Sequence, residues 1–142
     1  MDYRRIKFRG YSMYPALRPG DTLVLKAVEA HNLRPGDIIC VPEKGHYVSH
    51  RIVGISTTPD GVFLTTKGDN LPAPDATRRL SSGDTYRLFL INRPNRGIIR
   101  PRFGRLTALL STRNLTYGII KGRMGIIVRR ALSSVRFRTP PC

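Results

Sequence analysis

Serine, histidine and aspartate are residue types from which a proton-relayed nucleophile can be built, and this chain offers each in a distinctive local setting. Ser12 lies in Gly10-Tyr11-Ser12-Met13-Tyr14-Pro15 and His50 in Val48-Ser49-His50-Arg51-Ile52. Asp69 and Asp75 lie in Lys67-Gly68-Asp69-Asn70-Leu71-Pro72-Ala73-Pro74-Asp75. A serine hydroxyl is a weak nucleophile at its own pKa and needs a base within hydrogen-bond reach. Histidine, with an ordinary pKa of about 6.5, takes that proton at neutral pH. A carboxylate on the other ring nitrogen fixes the tautomer and stabilises the imidazolium formed during attack. Gly10 allows backbone to approach a substrate closely, and Pro15 prevents regular pairing just beyond the serine. His31 and His46 stand beside Asn32 and Gly45 in turn-like contexts and are expected to be solvated.

The elements that must hold these residues read as short strands joined by turns. Arg18-Pro19-Gly20-Asp21 and Arg34-Pro35-Gly36-Asp37 both place Pro second and Gly third, the pattern of a type II turn. Each precedes a run rich in β-branched and aliphatic residues, Thr22 to Leu25 and Ile38 to Val41, so two strands are expected. Tyr47 to Ile55, Val62 to Thr66 and Tyr86 to Asn92 are the third, fourth and fifth, with turns at Glu43-Lys44-Gly45-His46, Pro59-Asp60-Gly61 and Arg93 to Gly97. Residues 67–75 hold too many breakers for regular structure. From Arg102 the texture changes. Leu106, Leu109 and Leu110 follow helical spacing, and a second weak helical stretch runs from Gly122 to Ser134.

The chain of 142 residues is long enough for one core, and thirteen glycines with eleven prolines favour strands and turns over a helical bundle. Its net charge is +16, unevenly placed: residues 1–84 hold all nine acids and carry +3, whereas residues 85–142 carry +13. A basic segment of that kind predicts an anionic partner, nucleic acid or an acidic lipid surface. Cys40 sits in the apolar run Ile38-Ile39-Cys40-Val41 and Cys142 ends the chain, a pair that makes neither a disulfide framework nor a zinc site. Cys40 is expected to be a buried small hydrophobe. No metal or cofactor is expected. Met1-Asp2-Tyr3-Arg4-Arg5 leads into no apolar h-region, so no cleavable signal peptide is expected, and no window reaches the roughly 18 apolar residues of a membrane span.

The order of parts carries further information. Ser12-Met13 with Pro15, then Pro19-Gly20-Asp21, Gly36-Asp37-Ile38, His50-Arg51-Ile52, Lys67-Gly68-Asp69-Asn70 and finally Asp75 follow one another in a sequence of blocks. This resembles the signal peptidase I superfamily of serine peptidases, and most of all its archaeal and endoplasmic-reticulum branch, which has His where the common bacterial enzymes have a catalytic Lys. The resemblance covers roughly residues 8–92. It implies Ser12 as nucleophile, His50 as base and Asp75 as the acid of the set, with Asp69, Gly10, Met13 and Asn70 supporting them. It also implies an antiparallel folded sheet or partly open barrel of the signal-peptidase and LexA-peptidase type. That peptidase-like β domain would occupy residues 1–100, with a basic, partly helical extension over 101–142 packed on it. Two departures stand out. Some relatives place a serine, as a second oxyanion donor, at the position occupied here by Gly10. The family is also anchored by a membrane helix just before its serine, where this chain has only Arg4-Arg5-Ile6-Lys7-Phe8-Arg9.

Three functional readings therefore stay open. The first is a serine endopeptidase acting on a peptide or precursor protein, needing no cofactor, cytoplasmic and peripheral to an anionic membrane. The second is a repressor-like or scaffolding module whose basic C-terminal half engages nucleic acid or anionic lipid. LexA-type repressors carry a helical DNA-binding domain in front of the β fold, for which the residues before Ser12 are too few, and Lys26 comes too early for their catalytic lysine. The third is a relative that keeps the fold without turnover.

Overall fold

A computed structural model describes residues 3–80 and 85–101, together with 108, 109 and 111. They form one antiparallel, open, mainly β sheet with strands β1 (Tyr3–Lys7), β2 (Thr22–Ala27), β3 (Ile38–Glu43), β4 (His46–Thr58), β5 (Gly61–Lys67), β6 (Arg78–Arg79), β7 (Tyr86–Arg93) and β8 (Gly97–Ile99). The strand order is β1-β2-β7-β3-β4-β5-β6, with β8 also paired to β7. Ala30–Asn32 forms a short 3-10 turn between β2 and β3. All five expected strands are present. The basic helical extension lies outside the described residues except at Ala108, Leu109 and Ser111.

The two repeated turns fold alike because their chemistry is alike. Gly20 has φ 91° and Gly36 φ 100°, the left-handed backbone that the third position of a type II turn demands. In each, the closing Asp also caps the turn: Asp21 accepts from the Arg18 N–H at 2.9 Å, and Asp37 from the Arg34 N–H at 3.0 Å. The β3–β4 hairpin turns through Lys44 (φ 46°) and Gly45 (φ 83°), two successive left-handed residues whose twist suits a tight hairpin.

Two cores lie on opposite faces of the sheet. Leu23, Leu25, Ile38, Cys40, Leu88 and Ile91 pack with Met13, Leu17 and Phe8 on one face. Ile39, Val41, Ile52 and Leu64 pack with Leu33 on the other. Strand β3 reads as an unbroken apolar run because it feeds both cores. In β7 a bulge opposite Val24 and Leu25 inserts one residue, so that Leu88 and Ile91 both face inward. The sheet is strongly curled. β1 and β4 are four strand spacings apart in the order, about 19 Å if flat. Yet Arg4 of β1 donates to the Tyr47 hydroxyl of β4 at 2.7 Å and lies over the Tyr86 ring.

Asp21 ties the serine segment to the far strand. Arg93 of β7 grips its carboxylate with two bonds, at 2.9 and 2.7 Å, and donates to the Ala16 carbonyl at 3.1 Å. Burial alone would raise the Asp21 pKa, but the hydrogen bonds from Arg93 and the Arg18 N–H, with the positive charges of both arginines, outweigh it and hold the carboxyl below its ordinary range. A depressed folded value gives stability that is full above the unfolded pKa and lost as pH falls through the folded one. Asp21→Asn is therefore expected to be less stable than wild type at pH 7. That gap should narrow as pH drops below about 4, read from urea midpoints across the acid range.

Candidate active site

Ser12 is held by what surrounds it. Met13 and Leu17 are fully buried in the first core and Phe8 almost so, each anchored by about 1.5–3 kcal/mol of apolar burial. Tyr14 N–H bonds the Tyr11 carbonyl at 3.1 Å and Leu17 N–H the Met13 carbonyl at 2.9 Å, a compact turn with the half-buried Ser12 near its start. Met13 thus serves as an anchor, turned away from solvent. Gly10 is exposed, and a Cβ there would meet only the Phe8 Cζ, at 3.7 Å, so packing does not require glycine at this position.

His50 lies in β4 opposite Ile39, 9 % exposed. Its Nδ1 lies 2.6 Å from Asp75 Oδ2. An ionised carboxylate only accepts, so Nδ1 is the donor in this contact, and in a neutral ring that leaves the lone pair on Nε2, the arrangement a general base requires. The same Asp75 oxygen accepts from the Thr66 hydroxyl at 2.6 Å, and Asp75 N–H bonds the Thr66 carbonyl at 2.8 Å. The end of β5 therefore fixes the acid by both its backbone and its side chain.

The Ser12 segment packs against the loop after β5 through a missing side chain. Arg51 and Lys67 are the last registered pair of β4 and β5, and Gly68 opens the loop that leads on to Asp75. A Cβ at Gly68 would lie 2.7 Å from the Ser12 carbonyl oxygen, inside any tolerable contact. Asn70 completes the clamp: its N–H bonds the Ser12 carbonyl at 2.7 Å, and its Nδ2 the Tyr11 carbonyl at 3.2 Å. The Ser12 turn is thus clamped to the loop after β5, the same loop that carries Asp75, the partner of His50. Among the described residues no hydrogen bond joins Ser12 to His50. Such bonds are often long without substrate and close in the bound complex.

Asp69 serves the scaffold of the loop. Arg51 donates to it from Nε at 2.8 Å and from Nη2 at 2.7 Å, and from Nη1 to the Gly36 carbonyl at 2.8 Å. Both side chains of this pair are 5 % exposed. Removing one member of a buried pair leaves the other charge uncompensated, so Asp69→Ala is expected to cost about 3–5 kcal/mol of stability. The double change Asp69→Leu with Arg51→Met should cost much less, as urea midpoints will show.

Three further contributors escaped the sequence reading: Thr66, Gly68 as a steric requirement, and Lys67. Lys67 is fully buried, on the sheet face opposite His50, with Nζ donating to the Gly68 carbonyl at 3.3 Å. Burial pushes its ammonium down, and the carboxylates of Asp69 and Asp75 pull it part of the way back. A sequence offers no warning of a buried lysine. Position 67 ends a strand and precedes a glycine, a usual place for a solvated one.

Beside Ser12 runs a groove of about 670 Å³ between the end of β1 and the first half of β4. Ile6, Phe8, Tyr47 and Val48 give it an apolar lining, and Ser12 and Ser49 are part of its wall. Behind that wall the Cys40 thiol and the Ser49 hydroxyl lie 2.9 Å apart. Burial pushes the Cys40 thiol up to about 12 against the pull of Ser49, so it stays protonated and is no rival nucleophile. His31 and His46 are exposed, as expected.

No family model, curated protein or solved structure matches this chain. The functional argument therefore rests on these residues and their geometry. One loop links the parts: Asn70 bonds Ser12, Asp75 bonds His50 and Asp69 bonds Arg51, while Met13 anchors the serine turn in the core and Gly10 lines the groove. No helix among the described residues is long and apolar enough to cross a membrane.

Proposed function

We propose that this protein is a serine endopeptidase of signal-peptidase type that cleaves an extended peptide or precursor laid in the groove beside Ser12. The observation that carries this reading is the His50–Asp75 contact at 2.6 Å, made by the same loop on which Gly68 leaves room for the Ser12 turn. His50 Nε2 takes the proton from the Ser12 hydroxyl as its oxygen attacks the scissile carbonyl carbon. The carbonyl π electrons move onto oxygen, and the Ser12 N–H is the first donor to that oxyanion. The imidazolium, steadied by Asp75, then protonates the leaving amine as the C–N bond breaks. A water deprotonated by His50 hydrolyses the resulting ester and restores the serine. Thr66 holds the Asp75 oxygen that faces the ring, and the Arg51–Asp69 pair keeps the loop in place.

The groove favours a substrate read as a strand. β1 is an edge of the sheet, and an added strand would take its main-chain bonds from that free edge while alternate side chains enter the apolar lining. The test is cleavage of a mixed library of unstructured peptides with products assigned by mass. Cutting is expected for wild type and for neither Ser12→Ala nor His50→Ala; products that persist in both variants at the wild-type rate would remove these residues from the mechanism.

A further inference from the structure

The groove also states which charge its occupant should carry, an inference that rests on the peptide-groove reading above. Phe8 N–H bonds the Asp21 carbonyl at 2.8 Å, and the Phe8 carbonyl accepts from the Gly20 N–H at 2.9 Å. The main-chain groups of Phe8 are thus spent toward β2. In an antiparallel strand neighbouring residues direct theirs to opposite sides, so Lys7 and Arg9 offer N–H and C=O to the free edge along the groove. Their side chains alternate with those of Ile6 and Phe8, which turn to the core, and both are exposed. Arg5 follows the same alternation one step earlier and is exposed too. Lys7, Arg9 and His46 line the groove, and no carboxylate does. Among the described residues no acid pairs with Lys7 or Arg9. Glu43, in the facing hairpin, stands opposite His46 in register and does not line the groove.

We propose that the substrate is an acidic extended peptide, in which small or apolar residues alternate with Asp or Glu. Added to the edge of β1, such a strand drops one set of side chains onto Ile6, Phe8, Tyr47 and Val48. The other set stands beside Arg5, Lys7 and Arg9. A nucleic acid would satisfy the charge but leaves the apolar lining and the edge bonds unused.

Binding to Ser12→Ala protein, measured by anisotropy at low salt, tests this without any need for turnover. The probes are three labelled peptides with identical small and apolar positions and Glu, Gln or Lys between them. Two exposed ion pairs predict Glu over Gln by about 5–10-fold and Gln over Lys by a similar factor, with the differences shrinking in high salt. Residues 101–142 carry nine further Lys and Arg, so the decisive comparison is within the groove. The double change Lys7→Glu with Arg9→Glu should reverse the order, and Lys7→Gln with Arg9→Gln should flatten it. Both positions are exposed, and the fold is checked by circular dichroism. An order unchanged in both double variants, or an unlabelled oligonucleotide that displaces the Glu peptide equally well from wild-type and reversed grooves, would overturn the proposal. Charge preference with no cleavage would instead count against the peptidase reading, and cleavage with no charge preference against this inference alone.

Discussion

Gly68→Ala is expected to slow the reaction of Ser12 by about 10²-fold or more while leaving the sheet folded. The φ of Gly68 lies outside the left-handed region, so the backbone itself accepts alanine. The obstruction is steric: the new methyl would stand 2.7 Å from the Ser12 carbonyl oxygen and 2.9 Å from two carbons of Leu71. Leu71 is a flexible side chain and can yield. The Ser12 carbonyl is backbone, gripped by the Asn70 N–H at 2.7 Å and continuous with the buried Met13 anchor. Overpacking of this size costs about 1–3 kcal/mol, which a folded sheet survives. A nucleophile moved by about an ångström does not survive as easily, since that error alone costs about 10²-fold. Adding Leu71→Ala removes the second clash and not the first, so the double variant should stay slow. Recovery in the double variant would show that the Leu71 contact, and not the seating of Ser12, controls the rate.

Asp75→Asn should cost more, about 10³–10⁴-fold in turnover, with little change in substrate affinity. The carboxylate now accepts from both His50 Nδ1 and the Thr66 hydroxyl at 2.6 Å. An amide presents either its oxygen or its NH₂ to the ring. In the second case His50 must accept at Nδ1 and so carries its proton on Nε2, where the base needs a lone pair. A histidine locked in the wrong tautomer loses about 10⁴ in kcat in the serine-protease precedent. Thr66→Val should show a smaller loss in the same direction, because it removes one of the two donors to Asp75 Oδ2 and leaves the ring contact in place. Steady-state kinetics on a peptide recovered from the library separate kcat from KM in each case.

What could be read from the chain, and what could not, follows the range of the forces involved. The Arg18–Asp21 and Arg34–Asp37 turns are local chemistry, and both fold as their Pro and Gly dictate. The strands after them declare themselves by β-branched residues and burial. β1 was hidden because Tyr3-Arg4-Arg5-Ile6-Lys7 reads as a charged tail: an edge strand buries only one face, and here only Ile6 and then Phe8 mark it. β6 and β8, of two and three residues, are too short to carry a period. The histidine, the acids and the serine were visible as types in an order. The reason Gly68 must be glycine was not, since it depends on a carbonyl 56 positions earlier in the chain. Lys67 was equally opaque: its burial is decided by the loop that folds over it, not by its neighbours in sequence.

The most direct test of the central claim is the rate at which a fluorophosphonate probe modifies the native protein, with the adduct located by peptide mass. The proposed chemistry predicts one adduct, on Ser12, formed at a rate that His50→Ala lowers by orders of magnitude and that mild unfolding abolishes. An adduct elsewhere, or one on Ser12 that forms equally fast without the imidazole, would contradict it.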